Sequence, residues 1–176
     1  ESGHEVVALC ADTGRMDELA KLGARPVNVD FGRWARPLAD LRLLAELRRI
    51  FLRERPNIVH NFTAKPNVYG TLAAHIAGVP KIFNSVTGLG YLWSEAEDSS
   101  FQSASKSILR GLYALVGRLS DRTWVQNPDD VEYFVSHRLI ARDRAVLIKS
   151  SGVNTTEWNS QEFSPERRGL IRAALD

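Results

Sequence analysis

Short apolar runs alternate with longer amphipathic stretches along the chain. The runs at 4–10 (HEVVALC), 25–30 (RPVNVD), 57–62 (NIVHNF), 81–86 (KIFNSV), 122–127 (RTWVQN) and 144–149 (RAVLIK) carry the β-branched and aromatic residues that suit a pleated surface, and predict strands. The stretches 15–23, 38–54, 67–77, 101–119, 129–138 and 165–175 predict helices. Strand and helix in alternation predict βαβ units and hence a parallel sheet. Right-handed crossovers then set helices on both faces of that sheet, so the expected class is α/β.

Two of the helices have informative faces. In 38–54, Leu43, Leu44, Leu47, Ile50 and Phe51 fall on one side, with Arg42, Arg49 and Arg53 opposite, as in a helix packed on a sheet with a solvated outer face. In 101–119 the apolar stripe is Phe101, Ile108, Leu112, Leu115 and Leu119, and Lys106, Arg110 and Arg118 lie away from it. No acidic residue occurs between Asp98 and Asp121. Two uses of this stripe stay open: it covers the sheet, or it lies on an anionic membrane surface.

The chain has 176 residues, 44% of them hydrophobic and 25% charged, which is the composition of an ordinary globular domain. A formal charge of +2 is too small to argue for a nucleic-acid binder. Cys10 is the only cysteine, which excludes a disulfide framework and a cysteine-based zinc cage. The longest uncharged run, 66–80, is broken by Pro66, Asn67, Gly70, His75, Gly78 and Pro80, so it does not supply the ~20 apolar residues of a spanning helix. The chain opens directly on a strand, and a first strand and helix are expected to be missing. Ser164-Pro165-Glu166 starts a helix, with Ser at the N-cap and Pro at N1. The expected organisation is a single domain over 1–160 followed by a linker helix, 161–176.

Ligands of open parallel sheets bind beyond the carboxyl ends of the strands, so candidate chemistry is sought in the loops after each strand. In HNFTAKPNVYG (60–70), a helix expected to begin at Pro66 leaves the N–H groups of Asn67 and Val68 free beside Lys65, a combination suited to a phosphate or diphosphate. His60 sits within an apolar strand and reads as a packed histidine. In NSVTGLGYLW (84–93), Gly88 and Gly90 follow a strand directly and would let a ligand approach the backbone closely. In WVQNPDDVEYF (124–134), Asn127 as N-cap, Pro128 at N1 and two aspartates in the first turn account for Asp129 and Asp130 as helix-start residues, not as a catalytic or metal-binding pair. Gln126 at the strand end faces the crevice. His4, His60, His75 and His137 have no metal-ligand spacing, and no metal is expected.

The string IVHNFTAKPNVYGTLAAHIAGVPKIFNSVTGLGYLW resembles the amino-terminal domain of family-four glycosyltransferases of the GT-B fold, in particular bacterial enzymes building capsule, exopolysaccharide and O-antigen units. The ordered features are a strand ending in His, a Lys in the next loop, a small-residue helix, Ala-Gly-Val-Pro, a second strand with a Gly-containing loop, a strand ending in Gln126-Asn127, and Gly152-Val153-Asn154. The resemblance covers about residues 3–158. It implies a Rossmann-like domain that is one half of a two-domain enzyme and mainly holds the acceptor, the absent carboxy-terminal half holding the nucleotide-sugar donor. The implied reaction is sugar transfer with retention, from a nucleoside-diphosphate sugar to a hydroxyl of a lipid-linked saccharide, without a cofactor. Cationic side chains and helix N-termini would stabilise the departing diphosphate. The implied substrate-binding residues are Asn61, Thr63, Lys65, Thr87, Gly88, Leu89, Gly90 and Gln126; no catalytic residue is assigned. Many relatives carry His in the loop where this chain has Thr87-Gly88. The implied setting is the cytoplasm, peripheral on the inner face of the plasma membrane. Alternative readings are a nucleotide-sugar epimerase of the same architecture and a non-catalytic nucleotide- or partner-binding module.

Overall fold

The computed structural model describes residues 3–32, 36–88 and 100–149, with isolated positions 152, 154, 156 and 173; side chains of the fourth helix are described from Ser107 onward. The strands are β1 (Val6–Cys10), β2 (Ala24–Asn28), β3 (Ile58–Phe62), β4 (Lys81–Val86), β5 (Arg122–Val125) and β6 (Ala145–Leu147). The helices are α1 (Met16–Lys21), α2 (Pro37–Glu54), α3 (Thr71–Ala77), α4 (Ser100–Leu119) and α5 (Pro128–Ser136). Every strand pairing is parallel, as the alternation predicts. The sheet comes in two pieces: β1 pairs with β2, and β3, β4, β5 and β6 follow in order. No described strand joins β1 to β3. Of the helix predicted at 165–175, only position 173 is described, and it is helical; the rest lies outside the described residues.

Both pieces share one core. Leu43, Leu47, Ile50 and Phe51 of α2 are buried with Val59 of β3, Ile82 of β4 and Ala73 and Ala74 of α3, and Leu9 and Val27 of the two-stranded piece pack against the same cluster. Each fully buried Leu, Ile, Phe or Val side chain of this cluster contributes about 1.5–3 kcal/mol. Pro37 begins α2 without loss because the amide it lacks has no helical partner there. Arg55, in the left-handed conformation, ends it, and Pro56 prevents its continuation. A second cluster joins Val86, Val125 and Phe134 to Tyr113 and Val116 of α4. Phe134 is wholly buried, edge-on to the Tyr113 ring at 5.4 Å.

The α4 stripe resolves differently from a sheet-covering face. Tyr113, Val116 and Gly117 point inward, whereas Ile108 is 66% exposed and Leu115 43% exposed. Leu112 and Leu119 are half-buried at the margins; Phe101 and Lys106 lie outside the described side chains. The inward face is selected by Gly117, which lets the helix approach the chain at Leu139 closely.

In β3, Val59 and Asn61 are buried while Ile58 and Phe62 are half-exposed, so alternation is clean although the strand is parallel. On that second face His60 lies 4.1 Å from the Phe62 ring and 4.3 Å from Trp124, with Phe83 stacked on Trp124.

Candidate functional site

Three strand ends meet at the carboxyl rim of the four-stranded piece. Phe62 is level with Ser85, and Ser85 with Trp124. Continuing the register by two residues sets Thr87 beside Gln126, with Thr63 one strand further over. Neighbouring strands lie about 4.8 Å apart, so these residues fall within the span of one sugar–phosphate ligand. Thr63, Thr87 and Gly88 are exposed and Gln126 is half-buried. Leu89 and Gly90 lie outside the described residues.

The rim is shaped by local backbone features. Thr63 adopts φ 70°, an unusual conformation for a β-branched residue and the only non-glycine of this kind among the described residues that does not follow a helix. It turns the chain straight from β3 into a helix, so the helix begins two residues earlier than expected, at 64, and its first full turn, Pro66–Gly70, is a wide π turn. Gly88 has φ 143°, a conformation that favours glycine, and a Cβ there would meet nothing within 4 Å, so the rim is open at this point.

Ser85 ties the two loops together. Its carbonyl accepts from the Thr63 amide at 3.2 Å and from Asn67 Nδ2 at 3.0 Å, and its hydroxyl bonds His60 Nε2 at 2.7 Å. Burial holds the His60 pKa below its ordinary value, so the ring is neutral near pH 7 and serves as a packed hydrogen-bonding group, as the sequence reading has it.

Two expected contact residues have other partners. Asn61 is buried, and its Nδ2 donates to Asn84 Oδ1 at 3.0 Å and to Thr71 Oγ1 at 3.3 Å. Gly70 makes room for it: a Cβ at position 70 would stand 2.1 Å from Asn61 Oδ1. Lys65 Nζ donates to Asp40 Oδ1 at 2.8 Å and to the Phe31 carbonyl at 2.9 Å. Its expected companions are also engaged, since the Asn67 amide donates to the Thr63 carbonyl at 3.0 Å. Asp40 is almost fully buried; its Oδ2 accepts from the Arg36 amide at 3.0 Å and the Tyr69 hydroxyl at 3.1 Å. Burial alone would raise this carboxyl, but Lys65, the Arg36 amide and Tyr69 outweigh it and hold the pKa below the ordinary value.

The rim thus presents hydroxyl, amide and open backbone, over an ion pair that fixes its base. It can orient a polar ligand by hydrogen bonds; none of its exposed residues is a general acid or base. Asp40, Tyr69 and Ser85 were missed from sequence, as was the role of the Asn67 side chain, whose amide alone was singled out. Gly70 inside a helical pattern was the one available signal, since such a glycine marks close approach. At α5 the Asn127 cap is as read: its side chain accepts from the Asp130 amide at 2.7 Å.

The family model described as a glycosyl transferase 4-like domain matches residues 1–150. The chain belongs to that family. This glycosyl transferase 4-like domain is 24% identical over 139 residues to the Escherichia coli UDP-Gal:alpha-D-GlcNAc-diphosphoundecaprenol alpha-1,3-galactosyltransferase, covering 77% of the chain and 34% of that enzyme. Among solved structures, a glycosyltransferase from Rickettsia africae aligns over 99% of the chain and 42% of its own length, with a TM-score of 0.59 and 18% identity. MurG of Acinetobacter baumannii aligns over 88% of the chain and 39% of its own length, with a TM-score of 0.54 and 14% identity. The S. aureus protein MnaA, solved with UDP, aligns over 82% of the chain and 43% of its own length, with a TM-score of 0.52 and 14% identity. The chain therefore spans about a third to two fifths of the length of these relatives, and the GT-B-type α/β fold expected from sequence is the one it shares with them. No helix among the described residues is long and apolar enough to cross a membrane.

Proposed function

We propose that this domain is the acceptor-side half of a retaining glycosyltransferase that moves a sugar from a nucleoside-diphosphate sugar to a hydroxyl of a lipid-linked saccharide in bacterial surface-polysaccharide synthesis. The observation that carries the reading is the family match across residues 1–150. The curated relative, whose name gives a UDP-sugar donor and a diphosphoundecaprenol-linked acceptor, supports the substrate class. In this reading residues 1–160 are the acceptor half and 161–176 lead toward a donor-binding half in the whole protein. Thr63, Thr87, Gly88 and Gln126, with Leu89 and Gly90, contact substrate. Lys65 and Asn61 position that rim through Asp40 and Asn84.

The decisive assay mixes the full-length protein with a panel of nucleoside-diphosphate sugars and an undecaprenyl-diphosphate-linked saccharide. Transfer to the acceptor is expected. Interconversion of the free nucleotide sugar without acceptor would indicate an epimerase, and neither donor hydrolysis nor transfer with any donor would indicate a binding module. Thr87→Val, which removes one hydroxyl from an exposed position, is expected to lower kcat/KM roughly tenfold, the value of one lost hydrogen bond, with the melting temperature unchanged.

The same reading places the enzyme in the cytoplasm, peripheral on the inner membrane face. The outward side chains of Ile108 and Leu115 on α4, with exposed Arg110 and Arg118 nearby, support this. Ile108→Asp/Leu115→Asp in the full-length protein is expected to abolish co-sedimentation with phosphatidylglycerol vesicles; retention equal to the parent would remove α4 from the contact.

A further inference from the structure

The opposite rim, at the amino ends of β5 and β6, carries a groove of about 590 Å³ between the last turn of α4 and the connection from α5 to β6. Its floor is apolar, formed by Gly117, Leu139 and Ile140, and exists because α4 comes so near this connection that a Cβ on Gly117 would stand 2.1 Å from the Leu139 carbonyl. Its walls carry Arg118, Arg138, Arg142 and Arg144, against one acid, Asp143. The arginines differ in what they already do. Arg144 is committed, donating to the Arg118 and Ser120 carbonyls at 2.7 and 3.1 Å and so capping the end of α4. Arg142 pairs with Glu132 at 3.2 Å, but both side chains are about two-thirds exposed, and a pair of that kind is worth little. The side chains of Arg118 and Arg138 make no hydrogen bond or ion pair among the described residues.

We propose that this groove is a second binding site, for a phosphate group, remote from the carboxyl rim. Arginines of three separate segments line it: the end of α4, the turn after α5, and the short helical turn Arg142–Arg144. A carboxylate presents two coplanar oxygens on one side of its carbon. A tetrahedral phosphate offers oxygens to several forks at once, and arginine binds it bidentately. The proposal does not rest on the sugar-transfer reading, since no residue of the groove belongs to the candidate rim; it shares only Arg118 with the membrane contact proposed for α4, so pyrophosphate binding is the readout that separates the two.

Arg138 permits a clean test. It adopts φ 56°, where glycine is preferred, so Arg138→Gly removes the charge without straining the turn. The full-length parent, the variant Arg118→Ala/Arg138→Gly, and a control with equal charge loss on the outer face of α2, Arg48→Ala/Arg49→Ala, would be titrated with inorganic pyrophosphate. They would also be co-sedimented with phosphatidylcholine vesicles, with and without phosphatidylglycerol. The groove variant is expected to bind at least tenfold more weakly than parent and control, at an unchanged melting temperature. Loss confined to pyrophosphate identifies a soluble phosphate ligand; loss confined to anionic vesicles identifies a lipid headgroup. Binding of both probes by the groove variant at parental strength, equal weakening of the control, or no binding of either probe by the parent would overturn the proposal.

Discussion

Lys65→Ala is expected to destabilise the domain by about 3–5 kcal/mol at pH 7, the range for removing one partner of a buried ion pair. An exposed anion-binding lysine would be removable at no such cost. Here Asp40 is only 5% exposed, and without Lys65 its carboxylate keeps just the Arg36 amide and the Tyr69 hydroxyl. The Phe31 carbonyl loses a donor as well, so the loop between β2 and α2 comes free of the rim. The deficit should shrink with acid. Because the folded-state pKa of Asp40 is depressed, its contribution is complete above the unfolded value near pH 4 and disappears as the pH falls through the folded value. Urea denaturation of parent and variant at pH 7 and pH 3 measures this directly, and a gap independent of pH would show that the ion pair is not its source. Asp40→Leu/Lys65→Met, which removes both charges, is expected to recover much of the loss.

The second large effect distinguishes two glycines of one helix. Gly117→Ala is expected to cost on the order of 3 kcal/mol, because its Cβ would stand 2.1 Å from the Leu139 carbonyl and 2.9 Å from Ile140 Cγ2, and a backbone atom cannot step aside as a side-chain tip can. In a domain of this size that is a fall in melting temperature of roughly 6–12 °C. Gly111→Ala, whose Cβ meets nothing within 4 Å, should instead stabilise by up to ~1 kcal/mol through helix propensity. Differential scanning calorimetry of the two variants checks both signs.

These glycines also show where the sequence stops being informative. The 3.6-residue period identified α4 and α2, and the β-branched runs identified all six strands, because those signals are local. Which face of α4 turns inward is not local. The wheel favours the stripe through Ile108 and Leu115, yet the fold buries the side bearing Gly117, because only there can the helix approach Leu139. The candidate rim was legible in the same partial way. Parallel topology places Thr63, Thr87 and Gln126 just beyond the carboxyl ends of paired strands, whose register ends at Phe62, Val86 and Val125. The engagement of Lys65 with Asp40 was not legible: the two lie 25 residues apart, and a buried acid near a helix start looks in sequence like any residue favouring the helix dipole. Nor could Thr63 be seen to hold a left-handed backbone, since nothing in its residue type announces it.

The divided sheet gives the molecule a further physical character. β1 and β3 each have a hydrogen-bonded neighbour on one flank alone among the described residues, and Val6, Ile58 and Phe62 stand at least half-exposed along these strands. A strand flank without a paired neighbour, beside exposed apolar side chains, is where an extended polypeptide can add by backbone hydrogen bonds. The seam that divides the sheet among the described residues is thus also the place where strand pairing could still be added.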